Sequence, residues 1–77
     1  MDEICYRKSL GLNVREHRKR NLYTQSEFAK VCDIPREQIG RIERGEINTS
    51  VGNIFKIAIV LKIEPMDLFK NRDMFKF

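Results

Sequence analysis

One histidine, two cysteines, two prolines and four glycines are all that the 77 residues hold of those types. A single histidine leaves no Ser-His-acid or Cys-His arrangement to assemble, and no Gly-rich phosphate loop is present, so an enzyme is not expected. Cys5, His17 and Cys32 lack the short ligand spacings of a zinc site, and Cys32 falls on a different helix from the other two, so neither a metal nor another cofactor is expected. A disulfide scaffold this small carries more cysteine, so both thiols read as reduced and the protein as cytoplasmic. No stretch reaches the roughly 18 apolar residues of a membrane span. The nearest, Ile54 to Leu61, is short and interrupted by Lys56. The opening MDEICYRKSL puts acids first and has no long apolar run, unlike a signal peptide. Sustained period-2 alternation and Asn-Gly or Asp-Gly hairpins are missing too, which argues against strands.

What remains is 42% hydrophobic residues, enough for a globular core, and a formal charge of +4 that leans towards a polyanionic partner. The length predicts one domain, residues 1–70, followed by a tail over 71–77. A chain this size buries only about 60% of its unfolded surface, so its core is small.

Five helices fit the apolar spacing. The first runs from about Ile4 to Arg20, with Leu10, Val14 and His17 or Arg18 inward, and Asn21 as a left-handed cap. His17 reads as a core residue with one hydrogen bond. Arg18-Lys19-Arg20 either complements the helix dipole or meets phosphate. Thr24-x-x-Glu27 is a capping box that opens the second helix, which ends at Asp33-Ile34-Pro35. Asp33 suits the left-handed turn position, and Pro35 the first position of a third helix running to Arg44 and stopped by Gly45. Ser50 caps a fourth helix, Val51 to Leu61, apolar almost all round and in need of cover on more than one side. Pro65 opens a fifth, with Leu68 and Phe69 inward.

The stretch Thr24 to Gly45 carries the functional signal. Ile39 and Ile42 are the third helix's only large apolar residues. Arg36, Glu37, Gly40, Arg41 and Arg44 share its opposite face, with Gln38 at the margin. A helix with such a face fits the DNA major groove, where base edges present distinct donors and acceptors. Arg36 can bond guanine in two places, Glu37 can accept from cytosine, and Arg41 reaches the next bases or a phosphate. Gly40 allows close approach of the backbone. Thr24 and Gln25 at the start of the second helix, and Arg44, Asn48 and Thr49 beyond the third, are the expected phosphate contacts. The plain alternative is a solvated charged face on an ordinary helical bundle.

The landmarks Leu10-Gly11, Val14-Arg15, Arg18, Thr24-Gln25, Phe28-Ala29, Ile34, Ile39, Arg41-Ile42-Glu43-Arg44-Gly45, Asn48, Ser50, Ile54 to Ala58, Leu61 and Asp67-Leu68-Phe69 closely resemble the phage-repressor/Cro type of helix-turn-helix transcriptional regulator. The resemblance implies an all-α, five-helix lambda-repressor-like domain whose second and third helices bind DNA. It implies that Gln25 contacts phosphate and that the start of the third helix reads bases. It also implies a structural ion pair between Glu43 and Arg18, which takes Arg18 out of the phosphate-binding run. The chain departs from the pattern at Asp33 and Lys62, where glycine is usual, at Pro35, where Ser or Asp usually caps, at Gly40, and at His17, where Leu is usual.

Ile59 falls on a position usually exposed and charged in such proteins. With Ile63, Phe69, Met74 and Phe75 it forms an expected homodimer surface, the plain alternative being a wider core covered by the tail. Two-fold dimers place two reading helices about one DNA turn apart, so a roughly palindromic operator is expected. The resulting reading is a repressor or a restriction-modification controller-like autoregulator. An antitoxin or protein-interaction module on the same fold is the alternative. No part of the chain is left over for a small-molecule-binding domain, so no such ligand is expected, and no membrane partner either.

Overall fold

The computed structural model describes residues 3–70. The elements run α1 (Glu3–Arg20), α2 (Gln25–Cys32), α3 (Arg36–Glu43), α4 (Val51–Leu61) and a 3₁₀ helix (Pro65–Phe69), and no strand occurs among the described residues. The expected fifth α-helix is therefore a single 3₁₀ segment. Only five residues lie between the capping residue Glu64 and the extended Lys70. One turn of that length closes by the tighter i to i+3 pattern, as in the 2.9 Å bond from Asp67 N–H to Glu64 O. The expected tail, 71–77, lies outside the described residues, and with it Met74 and Phe75.

Each element sends one side chain to the centre: Val14, Phe28, Ile39, Ile57 and Leu68 are all 0% exposed. Leu10, Ala29, Cys32, Ile34, Ile42, Ile54, Ala58 and Leu61 complete the core. Burial pushes the Cys32 thiol up to about 11, so it stays a neutral core group at physiological pH.

Two close backbone contacts help tie α1 to its neighbours. At Gly11 the helix crosses the last turn of α3 so closely that an added Cβ would lie 2.6 Å from the Glu43 carbonyl oxygen, with Ile42 O nearby as well. Only glycine permits that approach. Two residues on, the buried Asn13 donates from Nδ2 to Leu68 O at 2.8 Å and to Lys70 O at 2.6 Å, which fastens the 3₁₀ segment to α1. His17 is only half-buried, and Arg18 takes the inward position one residue later. His17 adds to the positive field that lowers the Asp67 carboxyl, behind the larger effect of the Lys70 hydrogen bond.

All four α-helices end in the same left-handed turn. Its residues are Leu22 (φ 63°), Asp33 (φ 58°), Gly45 (φ 72°) and Lys62 (φ 58°). In each, the following N–H reaches back across the last turn, as from Tyr23 to Arg18 O and from Glu46 to Arg41 O. Asn21 was the expected left-handed residue. It instead keeps the turn before Leu22, and its Nδ2 donates to His17 O at 2.8 Å.

Candidate nucleic-acid interface

The interface is built on α2, α3 and the loop that follows. The capping box forms at α2: Glu27 N–H donates to Thr24 Oγ1, and Thr24 N–H to Glu27 Oε1, at 3.1 and 2.9 Å. The bond from the Thr24 N–H, with the Thr24 hydroxyl beside it, holds the Glu27 carboxyl below its usual range, and the capping box leaves the N–H groups of Gln25 and Ser26 at the helix end. Pro35 stands one position earlier than expected, as the N-cap of α3, and contributes no side-chain cap. Without a donor or an Oγ, it leaves the start of α3 open.

A buried ion pair sets the angle of α3. Arg18 donates from Nε to Glu43 Oε2 at 2.7 Å and from Nη2 to Oε1 at 3.0 Å. Side-chain exposures of 9% and 3% make this an internal brace rather than a surface contact. The third donor group, Nη1, reaches Tyr23 O at 2.8 Å, which ties the α1–α2 turn into the same knot. Gln25 joins it, donating from Nε2 to Glu43 Oε1 at 3.0 Å.

On the outside of α3, Arg36, Glu37, Gln38 and Arg41 are all exposed. Arg36 donates from Nε to Ser26 Oγ at 2.9 Å, so α2 holds the base of its guanidinium. Asn53 of α4 donates to Gln38 Oε1 at 3.4 Å and to Thr49 Oγ1 at 3.0 Å. Gly40 does not share this open face. It is buried, and a Cβ there would meet Arg44 Nη1 at 3.0 Å and Gln25 Oε1 at 3.8 Å. The missing side chain makes room for Arg44 instead of exposing backbone.

Arg44 lies across that space. Its Nε and Nη2 donate to Glu46 at 2.8 and 3.2 Å. Arg41 Nε lies 3.8 Å from the same carboxylate. The hydrogen bond from Arg44, with the field of both arginines, holds the Glu46 carboxyl below its usual range. Arg15, Arg18, Gln25, Glu43 and Arg44 line one cleft beside α2. Asn48 is exposed and donates to Glu3 at the start of α1.

The chain's sequence from Val14 to Leu68 matches a family profile described as helix-turn-helix. The chain belongs to that helix-turn-helix family. It is 43% identical over 60 residues to the control protein C.BamHI of Bacillus amyloliquefaciens, covering 75% of this chain and 73% of that one. Among solved structures it is similar to the restriction-modification controller protein C.AhdI from Aeromonas hydrophila. That match has a TM-score of 0.79 and 36% identity, over 82% of this chain and 96% of the other. The hypothetical transcription factor NHTF from Neisseria superposes with a TM-score of 0.85 and 30% identity, over 92% and 80% of the two chains.

In this helix-turn-helix protein the expected site residues fall into two groups. Arg36, Glu37, Gln38 and Arg41 share the outer face of α3, whereas Thr24, Gln25 and Arg44 gather around the start of α2. Asn48 and Thr49 stand apart, engaged with Glu3 and Asn53. Ser26, Arg15 and Asn53 were not foreseen. Ser26 meets Arg36 across the turn, and Asn53 meets Gln38 across helices. Neither contact leaves a trace in local spacing.

Beyond the interface, Ile59 is 73% exposed, and Val51 and Phe55 continue its stripe along α4 at 71% and 51%. Ile63 is half-buried against the core, and Phe69 stacks on Tyr6 with ring centroids 5.6 Å apart. No described helix is long and apolar enough to cross a membrane, and no group of three or more His, Cys, Asp or Glu among the described residues is placed to hold a metal ion.

Proposed function

We propose that this protein is a cytoplasmic transcriptional regulator that binds double-stranded DNA sequence-specifically as a homodimer, in the manner of a restriction-modification controller or a small repressor. The observation that carries the reading is the exposed, hydrogen-bonding face of α3, held at a fixed angle by the buried Arg18–Glu43 pair. A rigid helix with Arg36, Glu37, Gln38 and Arg41 outward has the chemistry to read base edges in the major groove. Thr24, Gln25 and Arg44 beside the N-terminus of α2 hold the phosphate backbone, with Asn48 and Thr49 at the edge of the contact. Two similar proteins bear controller names, which favours the autoregulatory role over an antitoxin.

The apolar stripe Val51, Phe55 and Ile59, with Ile63 and Phe69, forms the dimer surface. Pairing through it presents two copies of α3 to one face of the duplex. The operator is then an inverted repeat with half-sites about one helical turn apart.

Selection of bound duplexes from a random pool tests symmetry and spacing together. Titration against salt tests the backbone contact, because log K falls by roughly 0.9 per log unit of salt for each phosphate neutralised. A flat salt response, or a pool that yields no common sequence, overturns this function.

A further inference from the structure

The fork of Arg44 is already occupied. Its Nε and Nη2 form the edge with which an arginine grips a carboxylate or a phosphate with two parallel bonds. Glu46 takes that edge at 2.8 and 3.2 Å. The same carboxylate draws Arg41 Nε to 3.8 Å. Glu46 thus faces two of the cations nearest the proposed DNA surface, and it does so with the geometry of a phosphate.

Backbone structure fixes this arrangement. Gly45 adopts φ 72°, and the Glu46 N–H bonds back to Arg41 O at 2.9 Å, so Glu46 follows directly on the end of α3. Gly40, without a Cβ, lets the Arg44 guanidinium lie down over the helix, with Nη1 3.0 Å from where that Cβ would be. The Arg44 side chain is therefore held along α3 by the helix surface below it and by Glu46 at its outer edge.

We propose that Glu46 is an intramolecular competitor for DNA phosphate at Arg44, displaced when the protein binds its duplex. This rests on the DNA-binding function above. The competition lowers affinity for every duplex alike, because the displaced contact is to backbone and not to bases. In a protein whose own charge is +4, such a restraint limits adhesion to unrelated DNA. The effect is modest, since an exposed ion pair shifts an equilibrium by only about two- to fivefold. A two-fold dimer applies it twice, for roughly tenfold in total.

The experiment is a double-mutant cycle on the full chain, read as affinity for the operator and for an unrelated duplex at fixed salt. Glu46→Gln is expected to tighten both by the same factor, roughly tenfold. In an Arg44→Ala background the gain from Glu46→Gln is expected to shrink severalfold, because the held fork is gone. An equal gain in both backgrounds would show that loss of a negative charge is enough, and would overturn the proposal. So would an unchanged or weakened affinity. Glu46→Ala serves as a second variant, and its circular dichroism checks that α3 is intact. Failure of the unaltered protein to bind any duplex is a different result: it removes the DNA-binding function, and the competition with it.

Discussion

Arg36 and Glu43 sit seven residues apart on α3 and have opposite duties. Arg36 is exposed and is held at Nε by the Ser26 hydroxyl, which leaves its outer edge pointing the right way to meet a base edge. Arg36→Ala should cost about 1–3 kcal/mol on the best operator and relax preference at one position of each half-site. Affinities for a panel of single-base variants check this, and an equal loss on every sequence would reassign Arg36 to phosphate. Glu43 carries charge inward instead. Glu43→Ala leaves the buried Arg18 guanidinium without its carboxylate, for which about 3–5 kcal/mol of stability is the expected loss. Urea denaturation followed by circular dichroism measures it. The exposed polar face of α3 was legible in the sequence because helical spacing alone separates Ile39 and Ile42 from Arg36, Glu37 and Arg41. Gly40 was misread for the same reason: spacing put it outward, but the side chain of the next turn, Arg44, folds over it.

At the scale of elements, the chain announces where its helices begin more clearly than how they end. Thr24 with Glu27, and Ser50, are side-chain caps whose bonds are local, and both are formed. Helix ends depend on the direction the chain must take next. Leu22 and Lys62 adopt left-handed backbone although neither residue favours it, because the following segments turn back onto the core there. A non-glycine residue in that conformation costs roughly 1–2 kcal/mol. Lys62→Gly should therefore stabilise the fold by about 0.5–1 kcal/mol, even after the added freedom of the unfolded chain is counted. A rise in the thermal midpoint checks it, and a fall would mean that the Lys62 side chain contributes more than its backbone loses. The 3₁₀ segment was legible as an element but not as its type. Pro65 and the Glu64–Asp67 caps mark a start, while the number of residues remaining decides how the turn closes.

For the whole molecule, the question is how two copies meet. The core accounts for only one side of α4, and Val51, Phe55 and Ile59 are left along its outer side. An apolar stripe on a protein this small is the feature a second copy would cover. Ile59→Asp should abolish dimers in sedimentation equilibrium while leaving the helical content intact, and should weaken operator binding through loss of the paired half-site. A variant that stays dimeric would move the interface to another face. The resemblance to Cro-type regulators brought out Ile59, because an apolar residue is unusual at that position, but Val51 and Phe55 were lost in a helix that looked apolar almost all round.

Gly11 and Asn13 give α1 a further consequence. Two residues apart on one rigid helix, one touches the backbone at the end of α3 and the other grips the backbone of Leu68 and Lys70. If the segment around Phe69 pairs with its counterpart in a second copy, α1 is the gauge block between that pairing and the reading helix. The distance between the two halves of an operator would then be machined into the first helix, far from any residue that touches a base.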